Sequence, residues 1–442
     1  MDKPQPSADS FGNSDPIQLA VPLRDPELAA REEAAAETAA PAKYIEAGTR
    51  EFWRVNIALM TAAFCTFALI YCVQPLMPLL ASVFHVSPAQ SSLSLSVTTG
   101  LLAVGMLFSG LASEMLHRKA LMATSLLISA SLTVATAFAP NWHLLLATRV
   151  LTGLAICGVP AVAMAYVGEE IDPRSGGLAM GLYIAGNAFG GMSGRLLTGL
   201  LTDLLNWRWA IGIIGGLGLF GSALFLLLLP PSRHFKPRSP DLAELKLSLL
   251  GHFQDPGLPL LFSMGFLLMG TFVSIYNYLG FRLMAPPYNF SQTTVGLLFT
   301  IYAVGMFSSA WAGDLAVRRG RRLVLMAMVL LMAVGVASTL ASPSWAILAG
   351  LTAMTFGFYA AHAVVSAWVG FRAKRAKAVA SSFYLFSYYM GSGIVGTYSG
   401  TFWSAYGWPG VVGAVSVLLL AALIVVFFLR DLPPAQTAGS TT

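Results

Sequence analysis

The chain has 442 residues, of which 56% are hydrophobic and only 10% are charged, with a formal net charge of +6. A soluble domain is excluded, because its surface needs far more charge than this. A nucleic-acid partner has no support either: the excess Lys and Arg fall in short stretches between apolar runs, where membrane sidedness explains them.

Residues 1–53 read as a disordered tail. The first 50 hold nine acids against five Lys or Arg and almost no aromatic residues, too little apolar surface to order the segment. They also lack the basic start and short apolar core of a cleavable signal peptide, so the first apolar run is expected to act as its own insertion signal. Apolar runs then follow at 55–80, 92–113, 121–139, 142–166, 177–201, 209–229, 258–281, 293–313, 323–341, 345–369, 378–402 and 409–429. Each is long enough to cross a hydrocarbon core of about 30 Å as a helix. The fold class expected is therefore an all-α membrane protein of twelve transmembrane helices. Cys65, Cys72 and Cys157 all fall inside these runs, where a thiol packs as a small hydrophobe and no disulfide framework arises.

Twelve crossings return both termini to one face. Arg118 and Lys119, the 233–246 segment with Arg233, Lys236, Arg238 and Lys246, Arg318 to Arg322, and Arg372 to Lys377 all lie on that face, while the opposite loops near 86, 140, 287, 343 and 405 carry no Lys or Arg. The positive-inside rule places this face, with both termini, in the cytoplasm.

The polar, Pro-punctuated stretch 232–256 divides the chain into two six-helix bundles, 54–231 and 257–430, with a second tail at 431–442. Internal similarity supports the division. Tyr183/Tyr384, Gly190/Gly391, Gly199/Gly400 and Trp207/Trp408 recur 201 positions apart, and Val104-Gly105-Met106 recurs as Val304-Gly305-Met306. Parallel repeats suit a transporter that rocks about a site between its halves near the midplane.

Along the chain, Tyr71 and Gln74 on the first span are polar-rimmed and aromatic. After the second span comes Gly110-Leu-Ala-Ser-Glu114-Met-Leu-His117-Arg118-Lys119, and its second copy reads Gly313-Asp314-Leu-Ala-Val317-Arg318-Arg319-Gly320-Arg321-Arg322. Positive-inside charge explains the basic residues but not the glycine–acid spacing. On the fourth span, Arg149 lies about 10 Å inside the outer boundary, and a buried intramembrane Arg is a functional candidate by default, against the alternative of bonding helix carbonyls. The fifth span carries Gly177, Gly186, Gly190, Gly191 and Gly194, which either mark a bending helix or form a small-residue packing face. Asn187 and Arg195 share one face of it. Asn277, Tyr276 and Tyr278 follow on the seventh span, with Arg282 at its outer end. Tyr359, Trp368 and His362 lie on the tenth, His362 being the one histidine of six well inside a span. Its ordinary titration range suits proton handling, although a packed, hydrogen-bonded histidine is the commoner case.

Every Asp and Glu falls in a tail, loop or span end, so no carboxylate is available at a span centre to recognise a cation. Gly191-Met-Ser193-Gly194 matches the Gly-x-Ser-Gly of intramembrane serine proteases, but twelve spans, repeat symmetry and a distant histidine oppose an enzyme. Phosphate-binding and His-Glu-x-x-His signatures are missing, so no cofactor and no metal is expected, and ATP is an unpromising driver.

The loop signature at Gly110, Glu114, Arg118 and Lys119 resembles that of the major facilitator superfamily, with Glu114 for the usual Asp and His117 for the usual Gly; the second copy has Val317 in the place of the acid. The glycines of the fifth span resemble the antiporter motif of that superfamily, with Gly191 where the motif has Pro. Through Tyr71-Cys-Val-Gln74-Pro75, Gly181-Leu-Tyr183-Ile-Ala-Gly186-Asn187 and Tyr384-Leu-Phe-Ser-Tyr388-Tyr389 the chain is similar to YnfM-type bacterial inner-membrane transporters. The resemblance implies a central cavity lined by helices 1, 4, 7 and 10, cytoplasmic gating at Gly110, Glu114, Arg118, Lys119, Gly313, Asp314, Arg321 and Arg322, a monomer in the lipid bilayer of a bacterial inner membrane, and a proton gradient as driver. Proton-coupled efflux of amphipathic, drug-like or sugar-like small molecules is the first expectation; transport or exchange of organic anions held by Arg149 and Arg195 is the second.

Overall fold

The computed structural model describes residues 44–235, 251–373 and 376–429, with the backbone alone for 109–115, 161 and 378. Residues 1–43 of the expected tail at 1–53, the whole expected tail at 431–442 with Arg430, the stretch 236–250 of the linker, and Lys374 and Arg375 lie outside the described residues, and Gly110 and Glu114 are described by backbone alone.

Apart from a single bridge between Ile45 and Ile171, the regular structure among the described residues is helical. In chain order the helices are α1 (Arg50–Tyr71), α2 (Met77–Phe84), α3 (Pro88–Met115), α4 (Arg118–Ala137), α5 (Trp142–Ile156), α6 (Pro160–Glu170), α7 (Pro173–Leu204) and α8 (Trp207–Leu228), then α9 (Gly257–Met284), α10 (Gln292–Leu297), α11 (Tyr302–Arg319), α12 (Arg321–Ser338), α13 (Ser344–Arg372) and α14 (Lys377–Phe428). Among the described residues, nine helical stretches are long and apolar enough to cross a membrane by length and composition. One of them, Val379–Phe428, doubles back where Gly407 takes φ 61° and Pro409 follows, and so supplies the last two expected spans. The fourth expected span is α5 and α6 in succession, broken where Pro160 removes a backbone donor. The fifth is α7, whose glycines and Arg195 dilute its hydropathy.

The ends of the helices follow local chemistry. Thr49 caps α1 by accepting from the Phe52 amide at 3.1 Å, Asn141 caps α5, and Asp172 with Pro173 opens α7. The part of the expected tail from Tyr44 onward is ordered: the Ile45 amide donates to the Glu170 carbonyl at 2.9 Å and α1 starts at Arg50, ahead of the expected boundary at 54.

The first span is not one helix. It stops at Tyr71, passes through a 3-10 turn at Gln74–Leu76 around Pro75, and resumes at Met77. A broken helix leaves carbonyls without amide partners, and Arg149 supplies them: its Nη1 donates to the Leu69 carbonyl at 3.0 Å, Nη2 to that of Ile70 at 2.6 Å, and Nε to that of Ser94 at 3.0 Å.

The two bundles, α1–α8 and α9–α14, repeat one packing scheme. In the first, α1 packs mainly on α7, and in the second, α9 packs mainly on the first half of α14. The near end is the one at which the described chain begins and finishes. Between the bundles the contacts gather toward the opposite, far end. There Gln74 Nε2 donates to Asn277 Oδ1 at 2.8 Å, and the Asp203 carboxylate accepts from the Thr293 amide at 2.7 Å and the Gln292 amide at 3.3 Å. Glycines let the backbones meet at that end: a Cβ on Gly199 would fall 2.5 Å from the Gln292 carbonyl oxygen, and one on Gly400 would fall 2.5 Å from the Ala89 Cα.

Candidate substrate cavity

On the near side of these far-end contacts lies a cavity of about 360 Å³, between the bundles. It draws on more helices than the four implied by the resemblance. Tyr71 comes from α1, Met106 from α3, Pro160 and Met164 from α6, Asn187 and Arg195 from α7, Phe272 from α9, Tyr302 from α11, Tyr359 and His362 from α13, and Tyr388 and Tyr389 from α14.

Arg195 is the one charged side chain among the described lining residues. It is 3% exposed and its guanidinium is tightly placed. Nε donates to Gln74 Oε1 at 2.6 Å and Nη1 donates to the Gly191 carbonyl at 2.6 Å. Its Cζ sits 3.9 Å from the centre of the Tyr71 ring, with the Phe299 and Tyr302 rings at 4.9 and 5.0 Å. Aromatic faces stabilise a cation by their quadrupole, but they do not neutralise it. Nη2 makes no hydrogen bond with the described residues. Gly191 contributes by having no side chain, since a Cβ there would come 3.2 Å from Nη1.

Gln74 and Asn277 were expected as ligand contacts, but neither is among the described lining residues of the cavity, and both are buried in the far-end contact. Gln74 joins Arg195 to Asn277, so α7, the turn after α1, and α9 are linked by one chain of hydrogen bonds through the buried far-end contact.

Toward the near end, His362 Nδ1 lies 2.7 Å from the Tyr384 hydroxyl, and its ring stacks on Phe358 and tilts against Tyr388. Tyr359 also lines the cavity and packs over Gly305, where a Cβ would fall 2.3 Å from its ring. Asn187 and Tyr183 complete this end. Neither Asn187 Oδ1 nor the Tyr183 hydroxyl completes a hydrogen bond, although the two groups are neighbours on α7.

Other candidates are placed elsewhere. Arg149 is absent from the described lining and fully buried, because its three donors already serve the carbonyls of the first span and α3. It acts as a positioning residue for the break that presents Tyr71 and Gln74. Tyr276 is buried against Thr355 at 2.8 Å, and the Tyr278 hydroxyl donates to the Gly396 carbonyl at 2.8 Å. Trp368 packs on the core of the second bundle. Arg282 caps the end of α12 through the Thr339 and Ala341 carbonyls.

Of the glycines on α7, Gly186, Gly190 and Gly194 face α1, where added Cβ atoms would meet the Met60 oxygen at 2.8 Å, the Phe64 oxygen at 2.2 Å and the Ala68 Cα at 2.7 Å. Gly177 faces open space. This is close helix packing, with Gly191 alone turned to the cavity.

At the near end, Arg118 forms a two-point ion pair with Glu169, at 2.6 and 3.1 Å. Lys119 is partly buried beside it at the start of α4. Asp314 pairs with Arg318 on its own helix at 2.9 Å rather than with a neighbouring element. Arg321 lies 4.0 Å over the Phe371 ring, Arg322 Nε donates to the Val426 carbonyl at 3.2 Å, and a Cβ on Gly313 would meet open space.

Sequence reasoning missed Tyr302. It stands alone on an apolar span, and no spacing marks it as reaching Arg195 from the other bundle.

The description of the Major Facilitator Superfamily matches residues 59–288 and, in a second match, 261–442. The chain is 46% identical over 380 residues, 86% of its length and 94% of the relative's, to the uncharacterized transporter YybF of Bacillus subtilis (strain 168). It is 48% identical over 385 residues, 87% of its length and 92% of the relative's, to the inner membrane transport protein YnfM of Escherichia coli (strain K12). Its fold superposes with a TM-score of 0.72 and 16% identity on a bacterial homologue of the human lysosomal transporter Spinster in an inward-facing, occupied conformation, covering 87% of this chain and 98% of that one.

Proposed function

The chain belongs to the major facilitator superfamily and is a multi-pass membrane transporter of small molecules, and we propose that its cargo is a small organic anion with an aromatic or otherwise flat apolar body. The observation that carries this reading is Arg195, a buried cation in a cavity whose described lining offers no carboxylate. A desolvated guanidinium with a free donor gains most from an anion, which supplies charge-assisted hydrogen bonds. A cationic cargo would instead face it unscreened at low effective dielectric. The tyrosine and phenylalanine faces around it suit a flat apolar body.

The chemistry of the lining thus favours the second expectation from the sequence over neutral amphipathic or sugar-like cargo. The driver in this proposal is the proton gradient, with His362 as the coupling group, since it is the lining side chain whose ordinary titration falls at cellular pH. The near end is cytoplasmic by the positive-inside rule, the cavity takes cargo from that side, and transport is efflux from a bacterial cell.

The test uses inside-out vesicles holding an acid interior, with the lumenal pH followed while benzoates, neutral drugs, sugars and lipophilic cations are added in turn. Proton release on adding benzoates, lost in Arg195→Gln, is the expected result. Release with cations or neutral compounds alone would overturn the anion reading. For coupling, His362→Ala should abolish flux driven by a pH gradient while leaving counterflow intact, and unchanged driven flux would remove His362 from the mechanism.

A further inference from the structure

We infer that the cavity holds a second polar subsite, formed by Asn187 and Tyr183, which takes a hydrogen-bond donor at the end of the cargo opposite its anionic group. The inference rests on the anion reading above and adds to it the length and the second functional group of the cargo.

Asn187 and Arg195 are eight residues apart on α7, which puts them on one face about 12 Å apart along the axis. Both line the cavity. Between them the helix presents Gly191 and Ala188, so nothing on α7 divides the space, and its other walls are the rings of Tyr71, Phe272 and Tyr388. The cavity therefore has a charged pole at Arg195, an aromatic middle, and an uncharged polar pole at Asn187.

Both poles hold buried polar atoms without partners. At the Arg195 pole, Gln74 gives and takes hydrogen bonds and Asn277 Oδ1 accepts one, while Asn277 Nδ2 and the Tyr302 hydroxyl complete none. At the other pole, Asn187 Oδ1 and the Tyr183 hydroxyl are both withdrawn from solvent and complete none. Buried polar atoms without a partner are rare enough in native proteins to require an explanation. Asn187 and Tyr183 both line the cavity. An amide oxygen accepts, so the matching group donates: a hydroxyl or an N–H. The cargo class is a rigid organic anion with a hydroxyl or amine at its far end, of which a para-hydroxy aryl carboxylate is the simplest.

The experiment measures binding to purified full-length protein in detergent by isothermal titration. The probes are benzoate, 4-hydroxybenzoate and 4-methoxybenzoate, and the matching cinnamates, which lengthen the same frame. A hydrogen bond worth about 0.5–1.5 kcal/mol corresponds to a preference of about 2- to 13-fold. The hydroxylated acid of at least one frame should bind that much more tightly than both its parent and its methyl ether. Asn187→Ala and Tyr183→Phe should each reduce the preference, with thermal midpoints close to that of wild type showing that the variants are folded. Equal affinity for hydroxylated and parent acids in both frames, or a preference that survives both substitutions, would overturn the subsite while leaving the anion reading intact. If no carboxylate binds wild-type protein but a neutral compound does, the anion reading fails and the subsite falls with it.

Discussion

Two arginines lie within the membrane part of this chain at similar depth, and they have opposite duties. Arg149 has its donors on three backbone carbonyls and is fully buried, while Arg195 keeps Nη2 free in the cavity. Arg149→Ala should therefore act through stability: it strips partners from carbonyls exposed by the break after Tyr71 and is expected to cost about 3–5 kcal/mol, seen as a large fall in thermal midpoint in detergent. Arg149→Lys keeps the charge but not the fork and should recover only part of that loss. Arg195→Lys should leave the midpoint within a few degrees and weaken benzoate binding by tenfold or more, since an ammonium cannot hold Gln74, the Gly191 carbonyl and a carboxylate in one plane. That an arginine sits deep in a span was legible in the sequence. Which one was free was not, because that depends on carbonyls from another helix.

At the scale of elements, the same contact is built twice. Gly190 of α7 meets the Phe64 carbonyl of α1, and Gly391 of α14 meets the Phe266 carbonyl of α9, each leaving 2.2 Å for an added Cβ. The 201-residue repeat is thus a repeat of backbone approach. Gly190→Ala and Gly391→Ala should each destabilise by about 1–3 kcal/mol, because the obstacle is main chain and cannot rotate away. Gly177→Ala, on the same helix as Gly190 but facing open space, should be neutral or slightly stabilising. Thermal melts of the three single variants check this, and equal losses at all three positions would refute the packing argument. The glycine spacing was readable in advance. The faces were not, since a helix about nine turns long with glycines on several sides gives no sign of where its neighbours stand.

For the whole molecule, the far end is held shut by two polar contacts of different kinds: the buried Gln74–Asn277 bond and, at the rim, Asp203 on the first amides of α10. Burial would raise the Asp203 carboxyl, but bonds from the Thr293 side chain and amide, the Ser291 side chain and the Gln292 amide outweigh it and hold the carboxyl below its ordinary range. A depressed carboxyl contributes fully above its ordinary pKa, and its contribution is lost as pH falls through the lowered value. Far-end closure should therefore be insensitive to pH near neutrality and weaken only in strong acid. Asp203→Asn should weaken it near neutrality by about 0.3–1 kcal/mol and remove the acid dependence, and Asn277→Ala should weaken it by more. Spin labels at Leu205 and Asn289, on exposed sites across the rim, should report a short distance in wild type and a growing long-distance population in Asp203→Asn and Asn277→Ala.

The sequence by itself determined the class: run lengths set by the bilayer, charge asymmetry between loops, a repeat at 201 residues, and the absence of acids from span centres are all one-dimensional facts that the membrane environment enforces locally. Only the tertiary structure decided the site. Tyr302 reaches Arg195 from the other bundle, Gln74 joins Arg195 to Asn277 across the bundle boundary, and Arg149 is withdrawn onto the carbonyls of a broken helix. Each of these rests on contacts between residues tens to hundreds of positions apart, whose partners no local periodicity specifies.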